Sequence, residues 1–126
     1  MPVRSLTSSV LRWPDHHAVD QAVRTWAAAE GKRRSGLRRL GYFGSYARGD
    51  WGVGSDLDLV AVVSESSEPF ERRNLTWNLQ PLPVPAELLV YTEAEWERLR
   101  QGSGGFVRTL DRETVWVYHS PVGGER

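Results

Sequence analysis

The chain has 126 residues with sixteen basic and sixteen acidic side chains, so its formal charge cancels and no overall field recruits nucleic acid. Apolar residues make up 40% and charged residues 25%; this is the balance of a globular chain, and the length suits a single domain, residues 1–126, with a modest core. The absence of cysteine excludes disulfides and thiolate metal sites and is permissive for a cytoplasmic location. No apolar run approaches the ~20 residues that cross a bilayer, and the N-terminus lacks the apolar core of a signal peptide.

In chain order, a short strand is expected around Val10 to Trp13. Pro14-Asp15 then opens a helix. Val19, Ala22, Val23, Trp26 and Ala27 recur at i, i+3, i+4, i+7 and i+8, which is one apolar helix face, and Gly31 is a natural stop. His16 and His17 are adjacent and share no face, so they read as plain surface histidines and not as metal ligands. The basic run over residues 32–39 reads as a solvated connection, with contact to phosphates or an acidic partner as its functional alternative.

Residues 38–43 predict the first central strand. Residues 44–58 hold four of the twelve glycines and lie between two apolar runs, which reads as strand, Gly-rich connection, strand. Side chains alternate on an extended chain, so Asp56 and Asp58 point the same way, roughly 7 Å apart. Two carboxylates so placed can share hard cations such as Mg²⁺. Gly44-Ser45 can bring backbone N–H groups and a hydroxyl close to a phosphate. Residues 45–49 read as the first turn of a short helix, with Ser45 near its N-cap and its positive end toward an anion. Arg48, one turn along, either points at that anion or ties down the loop. Trp51 either packs or stacks on a base, packing being the commoner use.

Residues 56–63 predict a strand that is apolar on both faces beyond Asp58 and therefore central. Two acids opening such a strand cost several kcal/mol unless something positive pairs with them; the alternative is a pair of capping or loop aspartates. Residues 64–68 form a polar turn and residues 69–77 a short helix with Pro69 in its first turn. Pro81, Pro83 and Pro85 stiffen the approach to a strand at residues 86–91. Glu87, near its start, is a third acid for the site or a surface glutamate on an edge strand. Thr92 and Glu95 form a capping box for a helix that continues through Trp96 and Leu99 to Gly102. A break at residues 103–105 precedes a short helical turn at 106–110 and a final strand at 114–118. The tail from Ser120 lacks apolar content and reads as frayed. There are no internal repeats.

The stretch Gly44-Ser45, ten residues, Asp56-x-Asp58, with Ala47-Arg48-Gly49 and Ser55 inside it, closely resembles the minimal nucleotidyltransferase (MNT) domains of the DNA polymerase β superfamily. The signature covers about fifteen residues, and the order of the other elements is compatible with it. The resemblance implies an α+β fold: a small mixed β-sheet with helices packed on it, the polymerase β-like nucleotidyltransferase fold. It implies Mg²⁺-dependent transfer of a nucleoside monophosphate, AMP from ATP, with two Mg²⁺ ions between Asp56, Asp58 and the triphosphate. Glu87 would be the third acid, shared with one ion and able to take the acceptor's proton. The family often has Asp at that place, although antibiotic-modifying members use Glu. Gly44 and Ser45 would hold the outer phosphates, Arg48 would join them, and Ser55 would orient the aspartates.

MNT domains are frequently paired with an all-helical HEPN partner in toxin–antitoxin modules, where the MNT protein is the antitoxin and transfers AMP to a toxin tyrosine. The resemblance therefore implies a HEPN-type toxin as partner. Almost the whole chain is spent on the catalytic sheet, so the acceptor must come from another chain, a second copy or a free macromolecule. A small-molecule, aminoglycoside-like transferase and a non-catalytic antitoxin that acts by contact are the competing readings. Six tryptophans leave some available for a partner surface, although most are expected in the core.

Overall fold

The computed structural model describes residues 13–102 and 104–121. Helix α1 (His16–Arg33) is followed by β1 (Leu37–Phe43), a one-turn helix α2 (Ser45–Arg48), and β2 (Leu57–Val63). A 3₁₀ helix (Phe70–Thr76), β3 (Ala86–Thr92), α3 (Glu93–Gln101), α4 (Phe106–Glu113) and β4 (Val115–His119) complete the order. The strands form one sheet in the order β3-β2-β1-β4. β2 and β3 run parallel, while β1 pairs antiparallel with both β2 and β4. The fold is α+β with a mixed sheet.

The alternation of side chains on β2 explains how one sheet supports two cores. Leu57, Leu59 and Ala61 point to the side covered by α1, where they pack with Val19, Val23 and Trp26. Val60 and Val62 point to the other side, into a smaller cluster with Tyr91, Trp96, Val107 and Leu110 from β3, α3 and α4. Each such side chain taken from water contributes roughly 2 kcal/mol. Asp58 lies in the same alternating row as Val60 and Val62. The helices that cover that second core therefore reach over the acids at the start of β2.

Several expectations change in detail. The strand around Val10 lies outside the described residues except for Trp13, which is in no strand. Helix α1 is capped by the Asp15 side chain, which accepts from the Ala18 N–H at 2.8 Å, but Gly31 does not stop it. The helix runs on to Arg33, and a Cβ at Gly31 would overlap the Tyr118 ring; this glycine permits close approach of β4. His16 is not a plain surface histidine, since its Nε2 lies 3.1 Å from the Tyr46 carbonyl oxygen. The basic run is partly an internal clamp. Arg33 and Arg34 pair with buried Glu30, and the Arg34 guanidinium lies 3.8 Å over the Trp77 ring.

Pro69 caps the 3₁₀ helix instead of entering it, and the buried residue of that helix is Arg73. Phe70 and Leu75 of that helix are exposed. The expected turn at 106–110 is an eight-residue helix extending to Glu113. Ser120, placed in a frayed tail by sequence, is buried, and its N–H donates to the Arg38 carbonyl at 2.8 Å. All six tryptophans are buried or half-buried, so none stands clear of the fold as an obvious partner anchor.

The capping box of α3 forms as read. Thr92 Oγ1 accepts from the Glu95 N–H at 3.2 Å and Glu95 Oε1 accepts from the Thr92 N–H at 3.0 Å. Thr92→Ala is expected to lower stability by about 1 kcal/mol, read as a lower urea midpoint at unchanged m; an unchanged midpoint would refute the assignment. Glu95 is also gripped by the buried Arg73 guanidinium through two bonds of 2.7 and 2.9 Å. This grip, assisted by the Thr92 N–H and opposed by burial, holds the Glu95 carboxyl down at about 2.

A carboxyl whose folded value lies below its ordinary 4.5 stabilises the protein at all higher pH and releases that stability as pH falls from 4.5 toward 2. Between those limits the wild type should lose about 2 kcal/mol through this group, allowing for solvent screening. Urea titrations of Glu95→Gln should show a flatter acid dependence over the same window; identical slopes would rule the group out.

Candidate active site

The chain leaves β1 at Phe43 and turns at Gly44, where φ is 75° and ψ −149°. This is a region open almost only to glycine. Gly44, not Ser45, is the N-cap of α2; Ser45 is the first helical residue. The turn is held by the Gly44 carbonyl, which accepts from the Ala47 and Arg48 N–H groups at 3.0 Å. It is packed from behind by Tyr46, fully buried and stacked on Trp51 with ring centres 5.4 Å apart. Trp51 is thus a packing residue, as its commoner use suggests.

The return segment brings in the acids. Ser55 closes the loop by accepting from the Gly52 N–H on its Oγ at 2.8 Å; no aspartate is its partner in that bond. Asp56 is exposed immediately before β2, and Asp58 is half-buried within it. Asp58 pairs across the sheet with Phe43 of β1 on one side and with Glu87 of β3 on the other. Its carboxyl lies against Gly44, where any added Cβ would overlap Oδ2. Burial, then the neighbouring charges of Glu87 and Asp56, push the Asp58 carboxyl above the ordinary carboxylate value, with Arg48 opposing and Glu113 adding to the rise.

Six of the seven residues singled out by sequence line one cavity of about 470 Å³: Gly44, Ser45, Arg48, Ser55, Asp56 and Asp58. Glu87 does not line it and stands exposed on the next strand, beside Asp58. A larger hollow of about 620 Å³ runs along α1, but its one carboxylate, Glu30, is already neutralised by Arg33 and Arg34. The smaller cavity is the one in which negative charge is left uncompensated.

The wall opposite the acids comes from α4, through Phe106, Thr109, Leu110 and Glu113. Their i, i+3, i+4, i+7 spacing puts them on one helix face. Phe106 is exposed. Glu113 Oε2 accepts from the Gly44 N–H at 3.2 Å and from Arg48 Nη1 at 2.9 Å. Arg48 also pairs with Asp50 at 3.2 Å. None of the α4 residues was identified from sequence. The spacing was the available signal, but a helix ending at Leu110 stops one turn short of Glu113.

The donor chemistry of the acids suits a hard divalent cation. Asp56, Asp58 and Glu87 offer carboxylate oxygens, and Asp58 is electrostatically strained by its neighbours in a way that a bound cation relieves. Among the described residues no group of three or more His, Cys, Asp or Glu side chains is placed to hold a metal ion by itself, so Asp56, Asp58 and Glu87 do not form a ready three-carboxylate site. An ion here would complete its ligands with oxygens of a substrate.

Such a site, at the mouth of a mixed sheet and built on a glycine–serine turn facing two acids, has the chemistry of a nucleotide-handling domain. The nucleotidyltransferase domain family matches residues 27–112, and the chain belongs to that family. Among solved structures it is similar to a candidate nucleotidyltransferase from Sulfolobus solfataricus, at 17% identity and a TM-score of 0.60, covering 82% of this chain and 83% of that one. It is also similar to a chain of a toxin–antitoxin complex with AMP-PNP, at 17% identity and a TM-score of 0.56, covering 81% of this chain and 77% of that one. At such identities the likeness shows the fold. No curated protein matches the sequence, and among the described residues no helix is long and apolar enough to cross a membrane.

Proposed function

We propose that this protein is an MNT-type nucleotidyltransferase that moves a nucleoside monophosphate, AMP from ATP, onto a hydroxyl of a partner protein, and that it acts as antitoxin to a HEPN-type toxin. The observation that carries the reading is the cavity in which Asp56 and Asp58 face the Gly44-Ser45 turn. The toxin–antitoxin complex with AMP-PNP among the similar folds supports an adenine nucleotide and a toxin as partner, and the HEPN type follows from the sequence resemblance. Asp56 and Asp58 would hold Mg²⁺ together with the triphosphate, and Glu87 would share one ion across the β2–β3 pairing. The metal supplies charge neutralisation at the reacting phosphate and the leaving pyrophosphate.

The protein's own groups bind and orient. The Gly44 N–H and the Arg48 guanidinium are the donors for phosphate oxygens. Ser45 stands beside them at the start of α2, and Ser55 fixes the loop that delivers the aspartates. Glu87, on the strand beside Asp58, would take the proton of the acceptor hydroxyl as that oxygen bonds to the α-phosphorus and the bond to the pyrophosphate oxygen breaks.

Incubation of the co-expressed partner with ATP and Mg²⁺, followed by intact-mass spectrometry, should reveal added AMP. A second reading, neutralisation by contact alone, has one observation behind it: Glu113 already engages the Gly44 N–H and Arg48. If Asp56→Asn combined with Asp58→Asn protects against the toxin as well as the wild type does, contact is the function.

A further inference from the structure

We propose that Glu113 is a built-in competitor for the phosphate cradle and selects which phosphate ligands the site accepts. It holds the Gly44 N–H and Arg48 until a metal-complexed polyphosphate displaces it. The inference rests on the nucleotidyltransferase reading above and goes beyond it by assigning a role to α4.

The first argument is stoichiometric. Gly44 has a single N–H, and Glu113 Oε2 takes it at 3.2 Å while also accepting from Arg48 Nη1 at 2.9 Å. An anionic oxygen bridging a backbone N–H and a guanidinium has the chemistry of a phosphate oxygen in the same place. The two cannot share that N–H. The second argument is electrostatic. Glu113 is the last residue of α4, where the helix dipole disfavours negative charge. It also adds to the forces raising the Asp58 carboxyl. The side-chain bonds it makes are to the two cradle donors, the Gly44 N–H and Arg48 Nη1.

The third argument concerns release. The Arg48 side chain is 53% exposed, so solvent screens its bond to Glu113 and a stronger anion can replace it. A bare anion approaching this cavity meets Asp56, Asp58 and Glu113 together. A polyphosphate carrying a divalent cation meets the two aspartates with opposite charge and needs only to displace Glu113. The arrangement therefore rejects inorganic phosphate and metal-free nucleotide.

Calorimetry on the full chain, with AMP-PNP and Mg²⁺ in one arm and inorganic phosphate in the other, tests this. Glu113→Gln should bind Mg²⁺–AMP-PNP about tenfold more tightly than the wild type, the weight of one charge-assisted hydrogen bond, and should acquire measurable phosphate binding. A variant that binds Mg²⁺–AMP-PNP equally or more weakly overturns the proposal and leaves the nucleotidyltransferase reading intact. Absence of nucleotide binding by both proteins removes that reading and the proposal together. Should the variant not fold, the wild type gives the answer. The ¹³C carboxyl resonance of Glu113 should shift on saturation with Mg²⁺–AMP-PNP, and a static resonance in the bound protein refutes displacement.

Discussion

Replacing Asp58 by Asn is expected to abolish nucleotidyl transfer and, in the same protein, to raise the unfolding midpoint. The two effects share one cause. Asp58 is half-buried and flanked by Glu87 and Asp56, and its carboxyl is pushed above the ordinary value by burial and by those charges. An acid raised in the folded state destabilises that state once ionised. The wild type therefore loses stability through this group as pH rises past its unfolded value of 3.8, and the loss is complete above its folded value. Asn keeps the shape and removes the charge, so at neutral pH the variant escapes the penalty. On the proposed mechanism, removing the charge also removes a ligand for a divalent ion at the reacting phosphate, worth several kcal/mol; about 4 kcal/mol corresponds to a thousandfold in rate. Incorporation of labelled AMP and urea unfolding at pH 7 measure the two sides. A variant within tenfold of wild-type transfer, or one less stable than wild type, contradicts the assignment.

The second large effect is expected at Gly44→Ala. Its backbone, at φ 75° and ψ −149°, lies where a side chain costs about 1–3 kcal/mol, and the new methyl would overlap Asp58 Oδ2 and come 3.2 Å from Asp58 Cγ. The backbone penalty and the collision act together, so a loss of about 3 kcal/mol is expected. Transfer should fall further than stability alone explains, because the methyl drives Asp58 out of place. Gly52→Ala is the matched control: it lies in the same β1–β2 connection, beyond α2, a Cβ there meets nothing within 4 Å, and it should change neither quantity appreciably. Equal behaviour of the two variants would refute the claim that Gly44 and Asp58 are fitted to one another.

The parts of this fold legible in the sequence are those set by short-range periodicity. The apolar face of α1, the doubly apolar β2 and the Thr92–Glu95 capping box follow from spacing alone, and the Gly44-Ser45 turn with its two aspartates could be read as a unit because it is contiguous. What escaped reading depends on contacts between distant segments. Gly31 looked like a helix stop, yet it is there because Tyr118 of β4 crosses α1 at that point. His16 looked like a solvent residue until the chain brought Tyr46 against it. Glu113 is the clearest case. An acid at the C-terminal end of a helix is locally unfavourable, which argues for an earlier stop, and only the sheet order that puts α4 above the end of β1 supplies its partners.

The Gly44 turn is also tied to the beginning of α1. Trp13 Nε1 donates to the Tyr46 hydroxyl at 3.0 Å and His16 Nε2 lies against the Tyr46 carbonyl, while Trp51 is stacked on the same ring. Tyr46 thus works as a mechanical coupling: a load on the chain just ahead of α1 reaches the cradle through one residue. A tether attached just ahead of α1 is expected to be felt at the mouth of the cavity, whereas one attached between α3 and α4 pulls on the opposite wall.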